Sequence, residues 1–204
     1  MRATRELEVL ERDALREVAN VASAYAATAL AGLVGRRTMI TVPKLSVTAI
    51  EEIPQRLGFG DGRAAVAVMH LLGDITGSFI FVMPEEKARM LSGLLLGGTS
   101  AHSGPFDAMA RSALTETANI IGGAYAGALG TMTRRIVMLS VPAFGVEPPD
   151  AVLSKHRGAN DDHIGLCIET NLTFDGAGCE FGAHIVLLAT AEALEEIVRA
   201  LSAS

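Results

Sequence analysis

Two phrases in the chain pair a carboxylate with an amide one helical turn apart: Glu17-Val18-Ala19-Asn20 and Glu116-Thr117-Ala118-Asn119. At 3.6 residues per turn, Asp13, Glu17, Asn20 and Ala24 fall within about 60° of one another. Leu7, Leu15, Val18, Ala19, Ala22, Tyr25, Ala26, Ala29, Leu30 and Leu33 fall on the opposite, core-directed side. Ser112, Glu116, Asn119 and Gly123 repeat the polar arrangement. Each set is therefore expected on an exposed helix face, with a residue no larger than alanine one turn beyond the amide. Such a floor lets another protein's backbone approach, whereas a small-molecule pocket would need apolar walls. Glutamate alone would read as a solvated helix face. Asparagine is a poor mid-helix residue, because its side chain competes for backbone hydrogen bonds. Finding it twice, in phase with glutamate, points to chemistry.

That chemistry is not nucleophilic, since neither pair has a Ser-His or Cys-His neighbour. An amide can hold a water by donating one hydrogen bond and accepting another. A carboxylate can pair with a partner's cation and fix its orientation. Together they suit in-line attack of water on a phosphoryl group whose metal and charge stabilisation come from the partner. A conventional hydrolase with Glu17 or Glu116 as general base is disfavoured, because no metal ligand or nucleophile accompanies either residue.

The elements that carry the pairs recur. Offset by 99 residues, the chain matches itself at 13 of the 35 positions from Asp13 to Val47, ending in Val42-Pro43 and Val141-Pro142. Self-similarity at a fixed offset indicates a duplicated unit. Each half reads as a long helix (about Glu6 to Leu33, and Asp107 to Leu129), then strands, then a shorter helix. Expected strands are Thr38 to Val42, Leu45 to Ile50, Ala64 to Leu72 and Ile75 to Met83 in the first half. In the second they are Arg135 to Val141, Ile164 to Phe174 and Glu180 to Leu188. Turn signals stand at Asp61-Gly62, Gly73-Asp74 and Asp175-Gly176. Pro84 opens one short helix as its first residue, and Thr190 caps the other. The Gly/Ser-rich stretch Gly97 to Phe106 reads as a linker, and the polar segment Val146 to Asp162 as a loop with a role of its own. The expectation is a single α+β domain over residues 1–204, built from two repeats (about 6–97 and 107–203). It has pseudo-twofold symmetry and an antiparallel sheet flanked by two long motif-bearing helices and two shorter ones.

Half of the 204 residues are apolar and the net charge is −6, with lysine only at 44, 87 and 155. This supports a sizeable core and argues against nucleic acid or an anionic membrane as the main partner. Cys167 and Cys179 read as buried apolar side chains and His184 as structural; none of the five histidines has metal-site spacing. No segment is expected to span a membrane or act as a signal peptide, so a cytoplasmic protein is expected.

On these residues the chain resembles the CheC/CheX/FliY family of chemotaxis phosphatases, in its two-motif CheC branch. The family signature Asp/Ser-x-x-x-Glu-x-x-Asn matches Asp13, Glu17 and Asn20, and again Ser112, Glu116 and Asn119. The small-residue stretches Ala22 to Ala31 and Gly122 to Gly127 agree with it, as do the two Val-Pro strand ends. The resemblance implies a CheC-like fold and hydrolysis of the aspartyl phosphate of a CheY-type response regulator. Asn20 and Asn119 would orient the water, and Glu17 and Glu116 would pair with the regulator's lysine. Asp13, Ser112, Ala24 and Gly123 would face the partner. The chain would need no cofactor, the Mg2+ being held by the regulator. It also implies the deamidase CheD as a second partner; the resemblance does not place its interface, and the polar segment Val146 to Asp162 is one candidate. The alternative reading is a non-catalytic CheD-binding regulator or a scaffold like the flagellar switch. One departure is Asn20-Val21-Ala22-Ser23-Ala24, which lacks the glycines of Gly122-Gly123. The added methyl groups are expected to crowd the first site and leave the second more active.

Overall fold

Alternating apolar residues build the strands and an apolar stripe builds each long helix. A computed structural model of the chain describes residues 9–59, 62–98, 105–155 and 163–202. The order is α1 (Val9–Val34), β1 (Thr38–Ala49), a 3-10 turn (Ile50–Glu52), α2 (Ile53–Leu57), β2 (Ala64–Gly73), β3 (Gly77–Pro84) and α3 (Glu85–Leu95). There follow α4 (Ala108–Thr133), β4 (Val137–Leu139), β5 (Ala143–Glu147), α5 (Pro149–Lys155), β6 (His163–Phe174), β7 (Glu180–Thr190) and α6 (Ala191–Ser202). Among the described residues the strands form one seven-stranded sheet, ordered β1-β6-β7-β3-β2-β4, with β5 also paired to β2. Every pairing is antiparallel. Exchanging β1 with β4 and β5, β2 with β6, and β3 with β7 reproduces the same order.

The period of two along each strand sends side chains to two different cores. Met69, Phe79, Phe81, Ile168 and Ile185 point to the face covered by α1, α3, α4 and α6. Val66, Ile80, Val82, Val186 and Leu188 point to the face covered by the 3-10 turn, α2 and α5. Leu15 and Leu30 of α1 and Leu114 and Ile121 of α4 are buried, each contributing about 1.5–3 kcal/mol relative to exposure. These anchors hold both long helices on one face of the sheet, leaving their polar sides outward.

The ends of the long helices show how closely the halves correspond. Both enter the left-handed region at the same repeat position, with Gly35 at φ 66° and Arg134 at φ 55°. Glycine fits this conformation; arginine there costs about 1 kcal/mol. Asp107 caps α4, its carboxylate accepting from the Ala110 N–H at 2.7 Å. The Val-Pro pairs interrupt both edges. The β1–β6 register slips between Thr41 and Lys44, and the corresponding strand breaks into β4 and β5 around Val141-Pro142. Proline has no N–H to give to a ladder, so pairing cannot run through it.

The structure departs from the sequence reading in several places. Two short helices join the expected pair. One is α2; the other, α5, lies within the segment expected to be a polar loop and buries Val152 and Leu153 against the second core. Pro84 is the N-cap of α3 rather than its first residue. The strand expected from Ile75 begins at Gly77. Tyr25, Ala29 and Leu33, expected on the core side, are exposed, Tyr25 at 65% and Leu33 at 53%. Tyr25 and Ala29 sit at the margin of the apolar arc and Leu33 in the last turn, where neighbours rather than helical phase decide burial. By length and composition α1 is also apolar enough to cross a membrane from Leu10 to Val34, contrary to expectation. Its core side packs into the domain as that of a core helix does. The start of the first helix with Leu7, Asp61 of the first turn, most of the Gly97 to Phe106 linker and residues 156–162 lie outside the described residues.

Candidate functional site

Asp13, Glu17, Asn20 and Ala24 are all exposed on α1, while Leu15, Val18, Ala19, Ala22 and Ala26 on its other side are buried. Ser112, Glu116, Asn119 and Gly123 are exposed on α4, above buried Leu114, Thr117, Ala118 and Ile121. Each pair stays on its own helix, so the molecule presents two separate stations. Among the described residues no hydrogen bond or ion pair engages the side chains of Glu17, Asn20, Glu116 or Asn119. The four side chains can therefore meet a partner without first breaking an internal contact. Within a station, rigidity comes from the buried side of the helix.

The two stations rest on different supports. Beside Asn20 a groove of about 400 Å3 opens between α1 and β1, bounded by Asn20, Ser23, Ala24 and Ala27 and by Thr38 to Val42. Ser23 is only 3% exposed, and its hydroxyl lies 3.3 Å from that of Tyr125, reaching across from α4. Beside Asn119 the strand side is closely packed. A Cβ on Gly122 would come within 2.8 Å of Leu139 Cδ1 and 3.0 Å of Met69 Cε. A Cβ on Gly123 would meet nothing within 4 Å. The two glycines thus have different jobs. Gly122 admits core side chains beneath α4, and only Gly123 faces outward. The expectation that both glycines open the second site is corrected to that extent.

The family model for chemotaxis phosphatase CheX matches residues 65–156, a span that contains Glu116 and Asn119. The CheY-P phosphatase CheC of Bacillus subtilis strain 168 is 29% identical over 199 residues, which is 95% of this chain and 95% of that protein. The crystal structure of Thermotoga maritima FliY is similar with a TM-score of 0.82, over 98% of this chain and 99% of its own, at 19% identity. The chain is similar to CheC/CheX/FliY proteins, in sequence to CheC over 95% of its length and in fold to FliY. A chain from the CheX–CheY–BeF3–Mg2+ complex of Borrelia burgdorferi shares the fold at a TM-score of 0.52, covering 87% of this chain and 97% of its own at 19% identity.

Elsewhere the described residues hold few reactive groups. No three His, Cys, Asp or Glu side chains among the described residues converge as a metal site. Burial pushes the Cys167 thiol up to about 12, so it is a protonated core group with no nucleophilic role. A smaller pocket of about 60 Å3 on the second face of the sheet is lined by Lys44, Ser46, Arg56, Leu57, Cys167, Glu169 and His184. Burial, against the pull of Glu169, lowers the His184 pKa, and its ring packs edge-on to Phe59 at 5.4 Å. Its Nδ1 is buried without a hydrogen-bond partner among the described residues. Sequence reasoning missed the groove, Ser23 and Tyr125. The signal was present: at the 99-residue offset Tyr125 stands opposite Ala26, and Ser23 opposite Gly122.

Proposed function

We propose that this chain hydrolyses the aspartyl phosphate of a CheY-type response regulator, using two stations. The observation that carries this reading is the doubled, outward and unengaged Glu-x-x-Asn face on twin helices. The likeness to a CheY-P phosphatase over 95% of both chains supports it. In the reaction, Asn20 or Asn119 accepts a hydrogen bond from a water and donates one to its oxygen, aiming it in line with the scissile bond. The water oxygen forms the new bond to phosphorus as the bond from phosphorus to the aspartyl oxygen breaks. Inorganic phosphate and the free carboxylate leave. Glu17 or Glu116 pairs with the regulator's lysine and fixes the docking angle, while Asp13, Ser112, Ala24 and Gly123 meet the partner's surface. The Mg2+ belongs to the regulator and offsets the developing charge. The reading places the reaction in the cytoplasm and keeps CheD as a second partner, with α5 inside the candidate docking segment. The net charge of −6 suits partners that offer cations.

The test is the decay of a phosphorylated CheY-type protein with this chain and with its Asn20→Ala, Asn119→Ala and doubly substituted forms. Each single variant should keep part of the acceleration. The double variant should return decay to its spontaneous rate, a loss on the order of 10²-fold if positioning is the whole effect. Full acceleration by a folded double variant sinks the reading. Tight binding of CheD without any acceleration favours the non-catalytic alternative.

A further inference from the structure

We propose that Tyr125, carried by the helix of the second station, is a positioning residue for the first. The inference rests on the two-station phosphatase reading and concerns how the first station is held. Tyr125 is 6% exposed and its side chain meets residues of α1. With Leu15, Val18 and Ala19 of α1 it lines an apolar cavity of about 30 Å3, and its ring centroid is 5.8 Å from that of Phe79 on β3. Its hydroxyl lies 3.3 Å from that of Ser23. Burial pushes the Tyr125 hydroxyl up to about 12, opposed by the hydroxyls of Ser23 and Thr170, so it stays protonated and can donate.

Ser23 lies one helical turn after Asn20, and both line the groove against β1. The contact therefore fixes the turn of α1 that presents Asn20 and Ala24. No equivalent support reaches α4, because the residue at the corresponding place on α1 is Ala26 and the counterpart of Ser23 is Gly122. The consequence crosses the molecule. A change at Tyr125 on α4 should disturb Asn20 on α1 more than Asn119 on its own helix. Proximity along the helix or a general loss of stability would give the opposite result or an equal one.

The experiment reads each station alone. Decay of phosphorylated CheY-type regulator is measured with Asn119→Ala, which leaves the first station, and with Asn20→Ala, which leaves the second, each with and without Tyr125→Phe. The first station should lose about two- to tenfold in kcat, the range one neutral hydrogen bond commands. Its KM should stay within about twofold, and the second station should be unchanged. In the Asn119→Ala background, Ser23→Ala should give the same loss, and adding Tyr125→Phe to it should cost nothing more. Equal losses at both stations, a loss confined to the second, or full additivity overturns the proposal. If no form of the chain accelerates decay, the phosphatase reading fails by itself, and amide exchange in Tyr125→Phe decides the positioning role. Faster exchange at Asn20 to Ala24 but not at Asn119 to Gly123 upholds it, and any other pattern overturns it.

Discussion

Helices α1 and α4 are each 26 residues long and display Glu and Asn at matching places, yet they are seated differently. Beneath α1 a tyrosine from the other half reaches Ser23, and a groove separates the helix from β1. Beneath α4 the missing Cβ of Gly122 lets Leu139 and Met69 close in. At its N-terminal end α4 is tethered further, since Arg111 donates to the Phe144 carbonyl and lies over the Phe144 ring at 5.2 Å. The repeat counterparts of that pair are Arg12 and Leu45, which lack an aromatic ring. The outward face has kept its chemistry while the inward face has changed. Helical phase permits this, because the two faces touch different things and respond to different constraints. Two stations with one chemistry can thus differ in access and stiffness.

Removing the tyrosine tests that difference most severely. Tyr125→Ala deletes a buried ring beside an existing cavity and should destabilise the domain by about 3–5 kcal/mol. Its mirror position carries alanine, the fully buried Ala26. Urea denaturation measures the change. A shift in midpoint of the expected size with an unchanged slope places the effect in the folded state. A loss below 1 kcal/mol would mean that α1 settles onto the sheet without the ring, and that the two seats are interchangeable.

Gly122→Ser is the next step, since it gives α4 the residue that α1 carries at Ser23. The new side chain would enter the space of Leu139 and Met69, both apolar, with no tyrosine hydroxyl opposite it. A buried hydroxyl without a partner costs about 1–3 kcal/mol. The same denaturation measurement reads it. Neutral behaviour would show that Leu139 and Met69 swing aside freely, so that close packing is not what distinguishes the second seat.

Much of this was legible in the sequence. Glu17, Asn20, Glu116 and Asn119 are exposed as helical phase required, because residues central to a polar arc have one possible environment. The hairpins and the interruption at each Val-Pro followed from alternation and from proline's missing donor. Burial at the margins of the arc was not legible. Tyr25 and Tyr125 are both aromatic residues on an alanine-rich helix, yet one is exposed and the other buried. What separates them is one residue of helical phase, since Tyr125 stands opposite buried Ala26 and Tyr25 opposite Ala124 at the margin of the arc. The helices α2 and α5, of 5 and 7 residues, are too short to establish a period. Proline near the start of each, Pro54 and Pro149, was the available clue.

The smallest expected effect bears on whether a methyl group or the seat would make the stations unequal. Gly123 is exposed, and a Cβ built there meets nothing within 4 Å. Gly123→Ala should therefore stabilise α4 by up to about 1 kcal/mol through helix propensity alone. Ala24→Gly should weaken α1 by a similar amount. Any crowding by the methyl must then come from the partner's backbone, because the chain itself leaves the space open. If the methyl is the cause, Gly123→Ala in the Asn20→Ala background should lower the second station's rate towards the first's, and Ala24→Gly in the Asn119→Ala background should raise the first's. Unchanged rates in both would remove the methyl as an explanation. Any inequality would then rest on the groove and on Tyr125, which differ between the stations beneath the helices rather than above them.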